Sequence, residues 1–62
     1  MFKIGEFSRL AHISVRMLRH YDKLGLLMPR FTDESSGYRY YSATQLSYAG
    51  QIEKLKNMGF RF

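Results

Sequence analysis

The first thirteen residues carry an apolar side chain at every third position. The series comprises Ile4, Phe7, Leu10 and Ile13. Three-residue spacing puts these side chains along one side of an α-helix, so the pattern predicts a first helix over 5–11 with a buried apolar stripe. His12 follows directly and is expected to be a solvated residue of a tight turn.

A second predicted helix spans 15–24 and has recognisable residues at both ends. Ser14 can cap its N-terminus, since a serine hydroxyl accepts a backbone N–H of the first turn. Gly25 can end it, since glycine adopts the left-handed conformation at little cost. Its core side is expected to comprise Val15, Leu18 and Tyr21, flanked by Met17 and Leu24.

The opposite side of the second helix is cationic. Positions i, i+3, i+4 and i+7 share one helix face, and they are occupied here by Arg16, Arg19, His20 and Lys23. A helix that is apolar on one side and basic on the other fits the major groove of DNA, although an ordinary solvated surface is the alternative. Helix, tight turn and capped helix form the helix-turn-helix pattern, whose second helix enters the groove.

The span 27–41 predicts a two-stranded hairpin, or wing. Pro29 excludes a central strand, the polar loop 32–37 ends in glycine, and the run 38–41 favours β-structure. A lone hairpin is only marginally stable, so one of its faces should pack against the helices.

Tyrosines surround an arginine in the second strand of this hairpin. Arginine pairs with phosphate through two parallel hydrogen bonds, and a tyrosine hydroxyl can donate to the same backbone. Tyr38 and Arg39 are therefore candidates for a clamp on a nucleic-acid backbone. Core packing is the alternative for Tyr40 and Tyr41.

A third helix is predicted over 43–58, opened by a capping box of Ser42 and Gln45. Gly50 inside it costs roughly 1 kcal/mol relative to alanine, which a close helix crossing would explain. Lys56 is either a phosphate contact or a free surface lysine. The buried stripe is expected to comprise Leu46, Ala49, Ile52 and Leu55, widened by Tyr48 and Met58.

The charge balance indicates a partner for these elements. The chain of 62 residues carries a net charge of +5 with a pI near 9.9. Residues 1–31 hold six Lys or Arg against two acids, and residues 32–62 hold four against three. The positive field is therefore centred on the second helix, and a polyanion such as double-stranded DNA is the expected partner.

Other functional classes lack the residues that they need. The chain has no cysteine, and two isolated histidines do not form a metal cluster, so neither a metal nor a cofactor is expected. The sequence shows no paired carboxylates, activated nucleophile or phosphate loop, so nothing in it indicates an enzyme. Without a signal peptide or membrane span, a cytoplasmic, nucleoid-associated protein is expected. The end, Phe60-Arg61-Phe62, resembles the entry to a further element.

Five motifs in order span nearly the whole chain. They are Lys3-Ile4-Gly5-Glu6-Phe7-Ser8, Ser14-Val15-Arg16-Met17-Leu18-Arg19-His20-Tyr21-Asp22, Gly25-Leu26-Leu27, Gly37-Tyr38-Arg39-Tyr40-Tyr41-Ser42 and Leu55-Lys56-Asn57-Met58-Gly59-Phe60. Together they resemble the N-terminal DNA-binding domain of the MerR family of bacterial transcriptional regulators. The resemblance implies that 1–62 is a mostly α winged helix-turn-helix: a helix-turn-helix, a two-stranded wing and a third helix.

The resemblance also implies a DNA-binding site. Its residues are Ser14, Val15, Arg16, Arg19, His20 and Tyr21 in the recognition helix, Tyr38 and Arg39 in the wing, and Lys56 in the third helix. The recognition helix would face the major groove, and the wing and Lys56 would hold the backbone. His20 stands where many members have tyrosine, so it keeps hydrogen bonding but loses a large ring and gains pH sensitivity.

Members of the family are homodimers joined by a coiled coil that follows the DNA-binding domain. They bind a pseudo-palindromic promoter operator. When an effector binds, they distort the operator DNA, and this distortion affects RNA polymerase indirectly. The resemblance thus implies a chain truncated before the coiled coil and effector domain. The sequences of these motifs are most similar to those of members with a multidrug-sensing domain.

Two other functions stay open on sequence alone. One is a stand-alone, excisionase-like architectural DNA-binding protein, which shares the winged-helix scaffold but answers to no effector. The other is a protein-interaction module that docks through the aromatic hairpin and the phenylalanines of the C-terminal end.

Overall fold

Three helices and a small antiparallel sheet make up the fold. The computed structural model describes all residues from Met1 to Phe62. In chain order the elements are β1 (Phe2–Lys3), α1 (Ile4–Ala11), α2 (Val15–Leu24), β2 (Phe31–Thr32), β3 (Arg39–Tyr41) and α3 (Thr44–Asn57). All three helices lie within one residue of the predicted bounds.

The turn between α1 and α2 is held by short polar contacts. His12 is exposed and ends α1 in the left-handed conformation, with φ of 57°. Its backbone N–H donates to the Ser8 carbonyl, and the Ser8 hydroxyl donates to the Ile13 carbonyl over 2.6 Å. These bonds bring Ile13 into the core and set the start of α2.

Helix α2 begins and ends at the predicted residues. The Ser14 hydroxyl accepts the Met17 backbone N–H over 3.1 Å, which satisfies one of the free donors of the first turn. Gly25 follows the last turn with φ of 76°, and its N–H donates to the Asp22 carbonyl. On the inner side of the helix, Leu18 and Tyr21 are fully buried.

The predicted two-stranded wing forms from β2 and β3, and β1 adds a third strand to the sheet that the sequence did not predict. Strand β3 lies in the middle, with β1 and β2 antiparallel on its two sides. Phe2 pairs with Tyr41, and Phe31 pairs with Tyr40. A two-residue strand is too short to show a period-2 pattern in the sequence. By pairing with β3, it satisfies backbone groups that a lone hairpin would leave at an open edge.

A single core joins the helices to the sheet. Tyr41 stacks on Phe7, with ring centroids 4.5 Å apart and an interplanar angle of 17°. Tyr40 is half-buried against Phe31, and Tyr38 is exposed. The buried residues are Phe7, Ile13, Leu18, Tyr21, Leu27, Tyr41, Ala49 and Ile52.

Half of the predicted capping box forms at the start of α3. The Gln45 side-chain oxygen accepts the Ser42 backbone N–H over 2.8 Å. The Ser42 hydroxyl instead lies 2.9 Å from the Thr44 hydroxyl. The amide nitrogen of Gln45 donates to the Met28 carbonyl over 2.6 Å, so this one side chain also fastens the segment between α2 and β2.

The predicted apolar stripe of α3 is buried only in part. Ala49 and Ile52 are in the core, whereas Tyr48, Leu55 and Met58 are exposed. Leu10 and Leu24, at the C-terminal turns of α1 and α2, are also half exposed rather than buried. The close helix crossing expected at Gly50 is wrong, since a Cβ there would meet nothing within 4 Å.

Candidate nucleic-acid interface

The cationic side of α2 faces solvent. Arg16, Arg19, His20 and Lys23 are all exposed, opposite the buried Leu18. None of the four makes an ion pair with a carboxylate within 4.0 Å. The side chains that a groove would meet are therefore free to exchange water for phosphate or base contacts.

Two predicted residues at the start of α2 have structural duties. Ser14 is exposed, but its hydroxyl already accepts the Met17 N–H in the cap. Val15 is half-buried at the first position of the helix. Both stand at the N-terminal end of the recognition helix, where base-contacting residues of this motif lie.

Tyr21 is a core residue, as its helical spacing predicts, although the resemblance also implies a DNA contact for it. Its side chain is fully buried, and its hydroxyl donates to a Glu53 carboxylate oxygen over 3.1 Å. Burial, followed by the hydrogen bond and the charge of Glu53, raises the pKa of Tyr21 to about 12. A buried ring whose hydroxyl is bonded to Glu53 does not favour the DNA contact that the resemblance implies.

The wing carries its predicted tyrosine and arginine in different environments. Tyr38 is exposed, and the Lys3 ammonium lies 4.7 Å from the centre of its ring, which is a cation–π distance. Arg39 is about one-third exposed, and its Nε lies 3.4 Å from an Asp22 carboxylate oxygen. This ion pair ties the wing to α2, yet it is solvated enough to be weak.

Arg19 from the recognition helix and Arg39 from the wing line the same cleft, of about 480 Å³. It lies between the start of α1 and the wing, and we call it the α1–wing cleft. Tyr38 lines it as well, together with Lys3, Glu6 and Arg9. The basic helix and the tyrosine-flanked arginine therefore project from one surface, as a duplex that touches both requires.

Short hydrogen bonds fix the loop at the tip of the wing. One carboxylate oxygen of Asp33 accepts both the backbone N–H and the hydroxyl of Ser35, over 2.9 and 2.8 Å. These bonds lower the pKa of the Asp33 carboxyl. Gly37 closes the loop with φ of 76°, a conformation that glycine adopts without strain.

Comparison with known proteins identifies the family. Residues 3–41, more than half of the chain, match the family model described as MerR family regulatory protein. The chain belongs to the MerR family. The Multidrug-efflux transporter 1 regulator of Bacillus subtilis (strain 168) is 43% identical to it over 58 residues, which cover 94% of this chain and 21% of that protein.

Solved structures confirm the predicted winged helix-turn-helix of this MerR-family chain. The structure titled EcmrR-DNA complex in EcmrR-RPo matches with a TM-score of 0.93 and 36% identity, over 98% of this chain and 23% of that one. The N-terminus of MtaN, the Bacillus subtilis multidrug transporter activator, matches with a TM-score of 0.87 and 34% identity, over 98% and 57%. The MerR-family chain spans about a fifth of the length of the curated relatives it matches.

Two other predicted site residues lie away from the α1–wing cleft. The Nε2 atom of His20 is 3.3 Å from the Phe62 carbonyl oxygen, and the Phe62 ring meets the Tyr21 ring edge-on. Lys56 is exposed and lines a second depression with Phe60 and neighbouring residues at the C-terminal end. In this MerR-family domain the third helix thus offers its lysine at a separate place on the surface.

Sequence reasoning missed Lys3 and Arg9 as members of the α1–wing cleft. Lys3 belongs to the strand that no periodicity revealed, and Arg9 lies on the outer side of a helix treated only as support. The available signal was the excess of basic residues in the first half of the chain.

No group of three or more potential metal ligands occurs in the structure. None of its helices has the length and apolar character that a membrane span requires.

Proposed function

We propose that this chain binds duplex DNA as the DNA-recognition domain of a transcriptional regulator. Helix α2 enters the major groove, and the wing lies on the flanking backbone. The observation that carries the proposal is the meeting of Arg19 and Arg39 in the α1–wing cleft. The close structural match to EcmrR in its complex with DNA supports it.

The residues divide between base readout and backbone contact. Arg16 is exposed and unpaired on the groove-facing side of α2, and arginine recognises guanine through two hydrogen bonds. Arg19 is exposed on the same side and, because it also lines the α1–wing cleft with Arg39, contacts phosphate. Ser14, Val15 and His20 border them on α2. Tyr38, Arg39 and Lys56 contact phosphates, which fix the position of the protein without reading sequence.

Asp22 prepares Arg39 for a phosphate. Its carboxylate lies beside Nε, which orients the guanidinium group from the protein side. A partly exposed ion pair contributes only about 0–1 kcal/mol, so exchanging it for a phosphate costs little. The terminal nitrogens of the guanidinium group carry further N–H donors, which can bind a phosphate while Nε faces Asp22.

The longer protein, of which relatives suggest this chain is about a fifth, would be a homodimer on a pseudo-palindromic promoter operator. Effector binding outside this domain would distort the operator and act on RNA polymerase indirectly. The relatives named as multidrug-efflux regulators suggest that the effector is a drug-like molecule. A cytoplasmic location on the nucleoid follows from this function.

Selection from a random-sequence duplex pool, followed by titration at several salt concentrations, tests the proposal. We expect an enriched motif and an affinity that falls by about 0.9 log units per log unit of salt for each phosphate neutralised. A flat salt response would overturn DNA binding. Affinity without an enriched motif would favour the architectural alternative.

Two variants separate the proposed roles on the selected duplex. Arg16→Ala should cost roughly 1–3 kcal/mol of binding and relax the base preference, because it removes a groove contact. Arg39→Ala should weaken all duplexes alike. Lys54→Ala, an exposed cation of α3 that lines neither the cleft nor the second depression, is the matched control. An equal loss from Lys54→Ala would mean that only net charge matters.

A further inference from the structure

The α1–wing cleft gathers positive charge from four separate elements. Lys3 comes from β1, Arg9 from α1, Arg19 from α2 and Arg39 from β3, against the single carboxylate of Glu6. Cations this close repel one another and are tolerated only because water screens them. An anion placed among them would relieve that repulsion.

Three of these four cations have no carboxylate partner in the protein. Arg39 is the only one with a carboxylate within 4.0 Å. Glu6 and Arg9 stand one helical turn apart on α1, at a spacing that usually permits an ion pair, yet they form none. Lys3, Arg9 and Arg19 are therefore not neutralised by a carboxylate and can bind an external anion.

Lys3 is held at the rim of the cleft. Its backbone pairs with Tyr40 across the sheet, and its ammonium group lies over the Tyr38 ring. The pairing with β3 fixes the position of the Lys3 backbone, and the Tyr38 ring fixes the position of its ammonium group. The positive charge of Lys3 therefore lies next to the wing, which contacts the DNA backbone in the proposed function.

The floor of the cleft is open at the start of α1. Ile4, Gly5 and Glu6 line it, and no side chain caps the first turn of this helix. Gly5 presents no side chain, and a Cβ built there would meet nothing within 4 Å. A phosphate oxygen can therefore approach the backbone N–H groups between the surrounding cations.

From these observations we infer that the α1–wing cleft holds a backbone phosphate of the bound duplex, and that Lys3 and Arg9 are ligands of that phosphate beside Arg19 and Arg39. This inference rests on the proposed function. It adds two phosphate contacts that lie outside both the recognition helix and the wing. Glu6 opposes them and weakens binding to duplex of any sequence.

Salt titrations with mixed-sequence duplex DNA test the inference. We expect Lys3→Gln and Arg9→Gln each to weaken binding severalfold at low salt and to reduce the steepness of the salt dependence by about 0.9. Glu6→Gln should tighten binding, because it removes the opposing charge. Lys54→Gln is the control for loss of one exposed positive charge outside the cleft.

Gly5→Ala tests the position of the phosphate without changing charge. The added methyl group fits the fold but occupies the floor of the cleft, so we expect weaker DNA binding with no loss of thermal stability. Gly50→Ala is a matched control, since that helical glycine also has open space around its Cβ and lies outside the cleft. It should leave DNA affinity unchanged.

The outcomes distinguish this inference from the proposed function. If Lys3→Gln and Arg9→Gln bind like the unmodified chain while Arg19→Gln and Arg39→Gln bind weakly, the inference is overturned and DNA binding stands. If the unmodified chain shows no salt-dependent binding, the proposed function itself fails. Thermal unfolding of every variant confirms that the fold is retained.

Discussion

The recognition helix and the wing both face the α1–wing cleft, but different interactions hold them in position. Helix α2 is anchored by burial of Leu18 and Tyr21, and its two ends are capped. The wing tip is held by hydrogen bonds of Asp33 and by the cation contact of Tyr38, all at the surface. The comparison teaches that the recognition helix is anchored in the core, whereas the wing is anchored there only at its base, by Tyr41, and its tip depends on solvated polar contacts.

The largest effect should come from the core anchor of the recognition helix. Leu18→Ala removes a fully buried side chain and leaves a cavity, which typically costs about 2–5 kcal/mol. A domain of this size is only marginally stable, so the loss should unfold much of the population at 37 °C.

Leu24→Ala, on the same helix but half exposed, is the control and should change the free energy of unfolding by about 0.5 kcal/mol or less. Thermal and urea unfolding followed by circular dichroism measure both variants. Similar losses from the two substitutions would contradict the assignment of α2 to a core anchor.

The second effect depends on pH and concerns the contact between α2 and α3. The pKa of Tyr21 is raised to about 12 from its ordinary value of 10. The unfolded chain therefore loses this proton at lower pH than the folded one. The contribution of the protonated Tyr21 hydroxyl to the free energy of unfolding is complete below pH 10 and is lost as pH rises to 12. Its size is on the order of 2 kcal/mol.

Tyr21→Phe should remove this part of the alkaline transition, so the stability difference from the unmodified chain narrows above pH 10. Urea unfolding at several pH values measures it. Tyr48→Phe, at an exposed tyrosine of α3, serves as the control. Parallel stability curves for Tyr21→Phe and the unmodified chain would rule out the role of this hydroxyl.

A smaller effect, of opposite sign, is expected at the base of the wing. The Tyr41 hydroxyl is buried without a hydrogen-bond partner, and burial raises its pKa. Since an unsatisfied buried polar group is costly, Tyr41→Phe should stabilise the domain by about 1 kcal/mol while keeping the stack on Phe7. Tyr40→Phe, at a half-buried ring, is the comparison. A loss of stability in Tyr41→Phe would show that the hydroxyl is satisfied in solution.

The smallest effect should be confined to the wing tip. Asp33→Ala removes the acceptor of two Ser35 hydrogen bonds, so the Ser35 amide should exchange with solvent faster while global stability stays the same. Because the pKa of Asp33 is lowered, the unmodified loop should keep its protection until pH falls through that value. Glu34→Ala is the neighbouring control. Unchanged exchange at Ser35 would show that the loop orders itself by other means.

The same contrast explains what the sequence could predict. Helix α2 is bounded by Ser14 and Gly25 and has a clear apolar period, so its ends and its exposed basic side follow from the chain alone. Strand β1 has only two residues, and nothing in Phe2–Lys3 indicates that it pairs with β3. Its pairing is a long-range event, which local patterns do not encode.

The candidate site divides in the same way. Arg16, Arg19 and Arg39 follow from helical spacing and from the tyrosine-flanked strand. Tyr21 follows from helical spacing as a core residue, whereas its place among the DNA contacts came from the resemblance and is not favoured by its burial against Glu53. Lys3 and Arg9 reach the cleft only through tertiary folding.

The side-chain amide of Gln45 uses both of its ends, accepting from Ser42 and donating to Met28. The beginning of α3 and the segment that leads into the wing are thereby joined through one rigid planar group. A torque applied at the far end of α3 would turn the wing with it instead of being absorbed in a loose hinge. The glutamine thus links the third helix to the segment that leads into the hairpin by two hydrogen bonds, and we expect a rotation of α3 to be felt in that segment.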